Sequence, residues 1–217
     1  MEINYINQPP SLINSFIAEM RDIKIQTDSM RFRRNMERLG EIFAYEISKT
    51  LSYKKKEVRT PLGFSNELIP NDKIVLSSIL RAGIPFHNGL LNFFDTAENA
   101  FVSAYRKYTE EGEFEIHLDY ISSPDLNNKL LILADPMLAT GSSMELAYKA
   151  LLTCGKPAHT HIISIIAGQA GVEYIREKLG NEPITLWIAA LDEELNAKSY
   201  IVPGLGDAGD LAYGIKL

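Results

Sequence analysis

Leu130-Leu131-Ile132-Leu133-Ala134-Asp135-Pro136-Met137-Leu138-Ala139-Thr140-Gly141-Ser142-Ser143 is the stretch on which the fold turns. Its opening run, Leu130 to Ala134, has no polar break, so it reads as a strand buried on both faces, the kind found in parallel sheets. A carboxylate stands at the strand exit, small residues follow, and a helix is expected from Ser142 to Cys154, closed by Gly155. The same order recurs outward in both directions. Toward the N-terminus, Ile74 to Leu80 reads as a buried strand, Arg81-Ala82-Gly83 breaks it, and Pro85 opens a helix through Phe94. Toward the C-terminus, a strand from Thr160 to Ala167, a helix from Ala170 to Leu179 and a strand from Ile184 to Ala190 repeat it.

Such alternation implies an α/β fold, a mostly parallel central sheet flanked by helices, because right-handed crossovers cover both faces. Ligands bind beyond the C-terminal ends of the strands in such a sheet. Ala100 to Tyr105 is expected as a further strand, and the strict alternation of Phe114 to Tyr120 predicts a half-exposed partner in a hairpin arm. Apolar residues at Phe32, Met36, Leu39, Phe43 and Ile47 form one stripe of a helix that either covers the sheet or meets another subunit. Lys54 to Lys56 read as a solvated face, and Thr60-Pro61-Leu62-Gly63 as a turn. No repeat or linker divides the chain, so residues 1–217 are expected to be one domain.

Composition narrows the function classes. With 22 basic against 28 acidic residues the net charge is −6, which provides no overall positive field for nucleic acid or an anionic membrane. No apolar run approaches the roughly 20 residues of a membrane helix. Residues 1–10 carry neither a basic leader nor a long apolar stretch, and Cys154 has no second cysteine to pair with, so a cytoplasmic location is expected. Cys154, at a helix end without a neighbouring histidine, reads as a buried structural thiol, and Trp187 as core. His159 and His161 share a strand face without a third ligand, which is poor ground for a metal site.

The loop after Asp135 carries the chemistry. Main-chain N–H groups of Ala139 to Ser143, the hydroxyls of Thr140, Ser142 and Ser143, and the positive end of the following helix converge as a phosphate site requires. Ser142 to Glu145 alone would be a capping box, which explains the serines but neither Asp135 nor the loop before them. Neither the Gly-x-Gly-x-x-Gly nor the P-loop pattern occurs in this segment. A second unusual stretch, Tyr200-Ile201-Val202-Pro203-Gly204-Leu205-Gly206-Asp207-Ala208-Gly209-Asp210, describes a tight loop whose backbone can approach a flat ligand.

Ala134 to Ser143 resembles the phosphoribosyl pyrophosphate (PRPP) motif of type I phosphoribosyltransferases, in its uracil phosphoribosyltransferase form, and Tyr200 to Asp210 is similar to that family's uracil-binding C-terminus. Leu80-Arg81-Ala82-Gly83, Tyr105-Arg106 and Thr60-Pro61-Leu62-Gly63 follow in family order. The resemblance implies a uracil phosphoribosyltransferase of pyrimidine salvage, making UMP and pyrophosphate from uracil and PRPP. PRPP would meet Arg81, Arg106, Asp135, Pro136, Met137, Leu138, Ala139, Thr140, Gly141, Ser142, Ser143 and Asp207. Uracil would meet Tyr200, Ile201, Gly206, Asp207 and Ala208. Asp135, Arg106 and Asp207 are the implied catalytic residues, with Asp207 facing Mg²⁺ carried by PRPP. The two arginines would clamp pyrophosphate bidentately as charge develops on it. Dimers or higher oligomers and a GTP effector are further implications, and a transferase for another base or an RNA-binding regulator on the same fold are the alternatives. Three positions depart from the family pattern: Leu211 replaces arginine, Ser142 replaces the second glycine of Thr-Gly-Gly, and Arg59 replaces a glutamate.

Overall fold

The computed structural model describes residues 1–108 and 114–216, with the backbone alone for 104–108 and 114–118. In chain order it opens with β1 (Glu2–Tyr5), α1 (Leu12–Arg21), α2 (Ser29–Ser48), β2 (Tyr53–Thr60), β3 (Gly63–Pro70), β4 (Ile74–Leu80) and α3 (Gly83–Phe93). Next come β5 (Glu98–Tyr108), β6 (Phe114–Ser122), β7 (Leu130–Ala134), β8 (Met137–Leu138) and α4 (Ser142–Leu151), which runs into a 3-10 turn, Leu152–Cys154. The chain closes with β9 (His159–Gly168), α5 (Gln169–Leu179), β10 (Ile184–Asp192), β11 (Glu194–Leu195), β12 (Ile201–Val202) and α6 (Ala208–Tyr213).

The main sheet runs β1-β10-β9-β7-β4-β5-β6, with β8 added beside β9. Every pairing in it is parallel except β5 with β6, so the expected α/β sheet is present. Alternation along β9 divides the core: Ile163 and Ile165 face one layer of helices, Ile162 the other. The first layer holds α1, α2, α3 and α6, and the second holds α4 and α5. In α2 the stripe from Phe32 to Ile47 is at most 1% exposed, so it is consumed by the sheet and α3, and is not available to another subunit. Each such side chain contributes about 2 kcal/mol of hydrophobic stabilisation.

The α2–α3 crossing is tight enough to exclude side chains. A Cβ added at Gly89 would stand 2.0 Å from Glu37 O, and one at Gly40 would stand 2.4 Å from Phe86 O. Backbone therefore meets backbone, and α3, which starts two residues after Arg81, is fixed in height above the sheet.

Two expectations change and one element was unforeseen. Lys54 to Lys56 are exposed and Pro61-Leu62 is a turn, as expected, but the lysines belong to a strand, β2, which pairs with β3 as a separate two-stranded ribbon. Both strands are largely exposed, so no buried face imprints alternation on the sequence. Arg106, expected at the start of a loop, lies in β5 opposite Ile116. Cys154 is only partly buried, in the 3-10 turn after α4. Among the described residues no helix is long and apolar enough to cross a membrane.

Candidate active site

The site lies where β4, β7 and β9 end and β12 returns. β7 delivers Asp135, whose Oδ1 accepts the Met137 N–H at 3.3 Å. Pro136 O then accepts from Ile165 and Ile166 N–H at 3.2 and 3.0 Å, which stitches the loop to β9 and starts β8. Behind the loop, a Cβ at Gly171 would lie 2.5 Å from Ala139 O, so the first turn of α5 forms a backbone wall. Asp135, Met137 to Gly141, Ser143 and Met144 line a small open cleft.

Gly141 makes this loop possible. Its φ of +85° is one that L side chains rarely adopt, and a Cβ would come within 2.8 Å of Tyr174 Cδ1. Ser142 follows inside α4, outside the positive-φ residues, so a side chain at the family's second glycine fits; its Oγ lies 2.8 Å from Thr140 Oγ1. The capping-box alternative is not what forms. Gly141 is the N-cap and supplies no side chain, while Glu145 bonds to Lys149 at 2.7 Å and accepts from Tyr174 Oη at 2.6 Å. Lys149 first, then Tyr174, holds the Glu145 carboxyl below its ordinary range. Among the described residues nothing accepts from the N–H groups of Gly141, Ser142, Ser143 or Met144, which are left aimed at the helix entrance as an anion requires.

The second loop starts at β12, which pairs with β11 in the two-stranded ribbon that brings the chain back. It sits against the Asp135 loop at Gly168, where an added Cβ would be 3.3 Å from Ala139 O and 3.6 Å from Ile201 Cγ1. Gly206 is exposed with nothing within 4 Å of its Cβ position, and among the described residues its N–H and C=O are unbonded. Asp207 caps α6, its Oδ1 accepting the Asp210 N–H at 3.0 Å, and its Oδ2 accepts from Lys216 Nζ at 2.8 Å. Burial opposes ionisation of Asp207, but Lys216 and the main-chain N–H groups of Asp210 and Gly209 outweigh it, and the carboxyl titrates below the usual aspartate range.

Arg81 joins the two halves. From the end of β4 it reaches Asp210 Oδ1 at 3.5 Å and Gly214 O at 3.4 Å, and remains 44% exposed. Gly83, two residues on, faces Ala134 O at the exit of β7. Arg81, the Asp135 loop and the segment from Ile201 to Ala208 are thus one neighbourhood, whereas the side chain of Arg106 lies outside the described residues. Tyr200 stands at the edge, its N–H held by Asn196 Oδ1 at 3.0 Å. Leu211 turns inward, partly buried against the core.

Sequence reasoning missed Arg21, Gln26, Asp192 and Lys216. Arg21, in α1, is bidentate to Asp192 at 2.8 Å on both arms. Asp192 had one available signal, a carboxylate at the exit of a buried strand, the same signal that marks Asp135. His159 and His161 fall at the opposite end of β9, their rings 4.8 Å apart, and Trp187 Nε1 donates to His161 Nδ1 at 3.1 Å.

The profile of the uracil phosphoribosyltransferase family matches residues 8–215. A uracil phosphoribosyltransferase of Porphyromonas gingivalis is 60% identical over 217 residues, covering 100% of both chains. One from Methanothermobacter thermautotrophicus is 42% identical over 189 residues, covering 86% of this chain and 85% of the relative. Among solved structures, the AQ2163 protein of Aquifex aeolicus superposes with a TM-score of 0.87 at 32% identity, over 99% of each chain. A hypoxanthine phosphoribosyltransferase of Staphylococcus aureus, at 11% identity and TM-score 0.50 over 87% of this chain and 84% of its own, shares the fold.

Proposed function

This chain belongs to the uracil phosphoribosyltransferase family, a pentosyltransferase that carries the phosphoribosyl group of PRPP to N1 of uracil, and we propose how its residues divide that work. The loop from Asp135 to Ser143 seats the 5′-phosphate on the open N–H groups of α4, with the hydroxyls of Thr140, Ser142 and Ser143 beside them. Asp135 meets the ribose hydroxyls and balances positive charge as the sugar gains oxocarbenium character. Arg81 and Arg106 take the departing pyrophosphate. Uracil lies against the main chain of Ile201 to Ala208, near Tyr200; its N1 attacks the anomeric carbon as the C–O bond to pyrophosphate breaks, and the N1 proton leaves to the departing pyrophosphate or to water. No covalent intermediate is needed, so rate comes from placement and charge.

The observation that carries this assignment is the Arg81–Asp210 contact, which ties the arginine at the β4 exit to α6, the helix that the loop after β12 leads into. An ionised, half-buried Asp207 is an oxygen donor of the kind that would hold a magnesium ion. Mg²⁺, when bound with PRPP, neutralises diphosphate charge. Residues 1–217 act as one catalytic domain in this reading, since α1, at one end of the chain, is bonded to the base loop at the other. The exposed Leu62, Phe64 and Leu68 of the β2–β3 ribbon support self-association. A GTP effector rests on family resemblance alone, and a cytoplasmic location on the lone cysteine.

Incubating the purified chain with PRPP, Mg²⁺ and uracil should yield UMP and pyrophosphate, while hypoxanthine, xanthine and orotate should not be converted at comparable rates. Absence of UMP, or preference for another base, would overturn the assignment.

A further inference from the structure

We propose that Arg21, Asp192 and Gln26 are positioning residues that fix the main-chain groups by which uracil is read, an inference that rests on the base-loop reading of residues 200–208. Arg21 Nη1 donates to Asp192 Oδ2 at 2.8 Å and to Gly204 O at 2.9 Å, while Arg21 Nη2 donates to Asp192 Oδ1 at 2.8 Å. Asp192 Oδ2 also accepts the Gly204 N–H at 2.9 Å. Gln26 Nε2 donates to Leu205 O at 3.0 Å and to Met20 O at 2.8 Å. Three successive peptide planes, those joining 203–204, 204–205 and 205–206, are therefore each held by a side chain from outside the loop.

The last of these planes matters most. In a trans peptide the N–H points opposite to the C=O, so holding Leu205 O on Gln26 turns the Gly206 N–H away from Gln26, and among the described residues that N–H is unbonded. Only glycine fits at the pivot: Gly204 has φ of +56°, and a Cβ there would stand 2.1 Å from Ile201 O. Asp192 is 7% exposed and Arg21 23%, so the pair works in a poorly solvated place where a planar, bidentate geometry is strongly directional. A base recognised by main chain alone needs that main chain held still.

The test compares wild type with Asp192→Asn, Arg21→Lys and Gln26→Ala, measuring kcat, KM for uracil, KM for PRPP and Tm. An amide at 192 loses the charge and, with its oxygen in the place of Oδ2, sets an NH₂ group against Arg21 Nη2 where Oδ1 had accepted. Asp192→Asn should raise KM for uracil about tenfold, the scale of one charged hydrogen bond, and leave KM for PRPP within about twofold. Arg21→Lys, which keeps the charge and loses the fork, should fall between it and wild type. Gln26→Ala, at a partly exposed site, should raise KM for uracil a few-fold and serves if Asp192→Asn does not fold. Amide hydrogen exchange of the wild type with excess uracil or UMP tests the underlying reading separately. If UMP fails to protect residues 201–208, the base-loop reading falls and the inference with it. If protection is seen but the variants lower Tm with KM for uracil unchanged, the residues are only structural, the inference is wrong, and the base-loop reading survives.

Discussion

The loop that follows β7 and the loop that follows β12 are both short, both carry glycine at positive φ, and both face the same site, yet they are held in opposite ways. The first is held by its own neighbours: Pro136 O on β9, Gly141 at the N-cap, and the backbone of α5 behind Ala139. The second is held by charged and amide side chains that reach across 179 to 183 positions of sequence, from Arg21 and Gln26. A site for a doubly charged ester can be built from local backbone, because a helix entrance supplies the field. A site for a neutral, flat base has no such field to rely on and takes its shape from fixed peptide planes.

If the first loop is where transition-state charge is balanced, Asp135→Asn should have the largest effect. The amide keeps the contact to Met137 N–H but loses the charge, and turnover should drop about a hundredfold or more with circular dichroism unchanged. Near-normal UMP formation would break the comparison at its first term. Gly141→Ala comes next. It forces a Cβ toward Tyr174 at a φ of +85°, and should cost about 1–3 kcal/mol of stability together with a roughly tenfold rise in KM for PRPP, leaving KM for uracil nearly untouched. Equal rises in both constants would mean that the loops are not independent.

Lys216→Met probes the charge beside the second loop. Without the ammonium, less opposes the burial of Asp207, its carboxyl protonates more readily, and the acid limb of the kcat/KM profile for PRPP should move to higher pH. An unmoved limb would remove Asp207 from the titrating step. The smallest effect on turnover is expected at His161, which touches neither loop. Burial first, and His159 second, lower its pKa to about 4 from an unfolded value of 6.5. The unfolded chain then takes up a proton that the folded chain refuses, so the stability is present above pH 6.5 and is lost as pH falls toward 4, on the order of 3 kcal/mol in all. His161→Asn should flatten that dependence in thermal melts and leave kcat at pH 7.5 unaltered.

The same contrast explains what could be read without coordinates. Leu130 to Ser143 was legible because everything that shapes it is contiguous: buried strand, carboxylate, small residues, helix. Tyr200 to Asp210 was legible as a composition and a resemblance, but its anchors were not, since no local pattern links Arg21 to Asp192. The β2–β3 ribbon was missed because a strand exposed on both faces leaves no period in its sequence. Lys216 lies only six residues beyond Asp210, and its pairing with Asp207 depends on the turn at Gly214, where α6 ends.

The backbone seam between α2 and α3 carries a warning for anyone screening variants of this enzyme. Gly40 and Gly89 face only each other's helices, so damage there would ordinarily be filed as a core defect. Yet α3 is the short lever whose near end is the Arg81 turn. Prying the seam open by one methyl group tips that lever, and a melting curve would register the strain while the displacement of Arg81 went unnoticed.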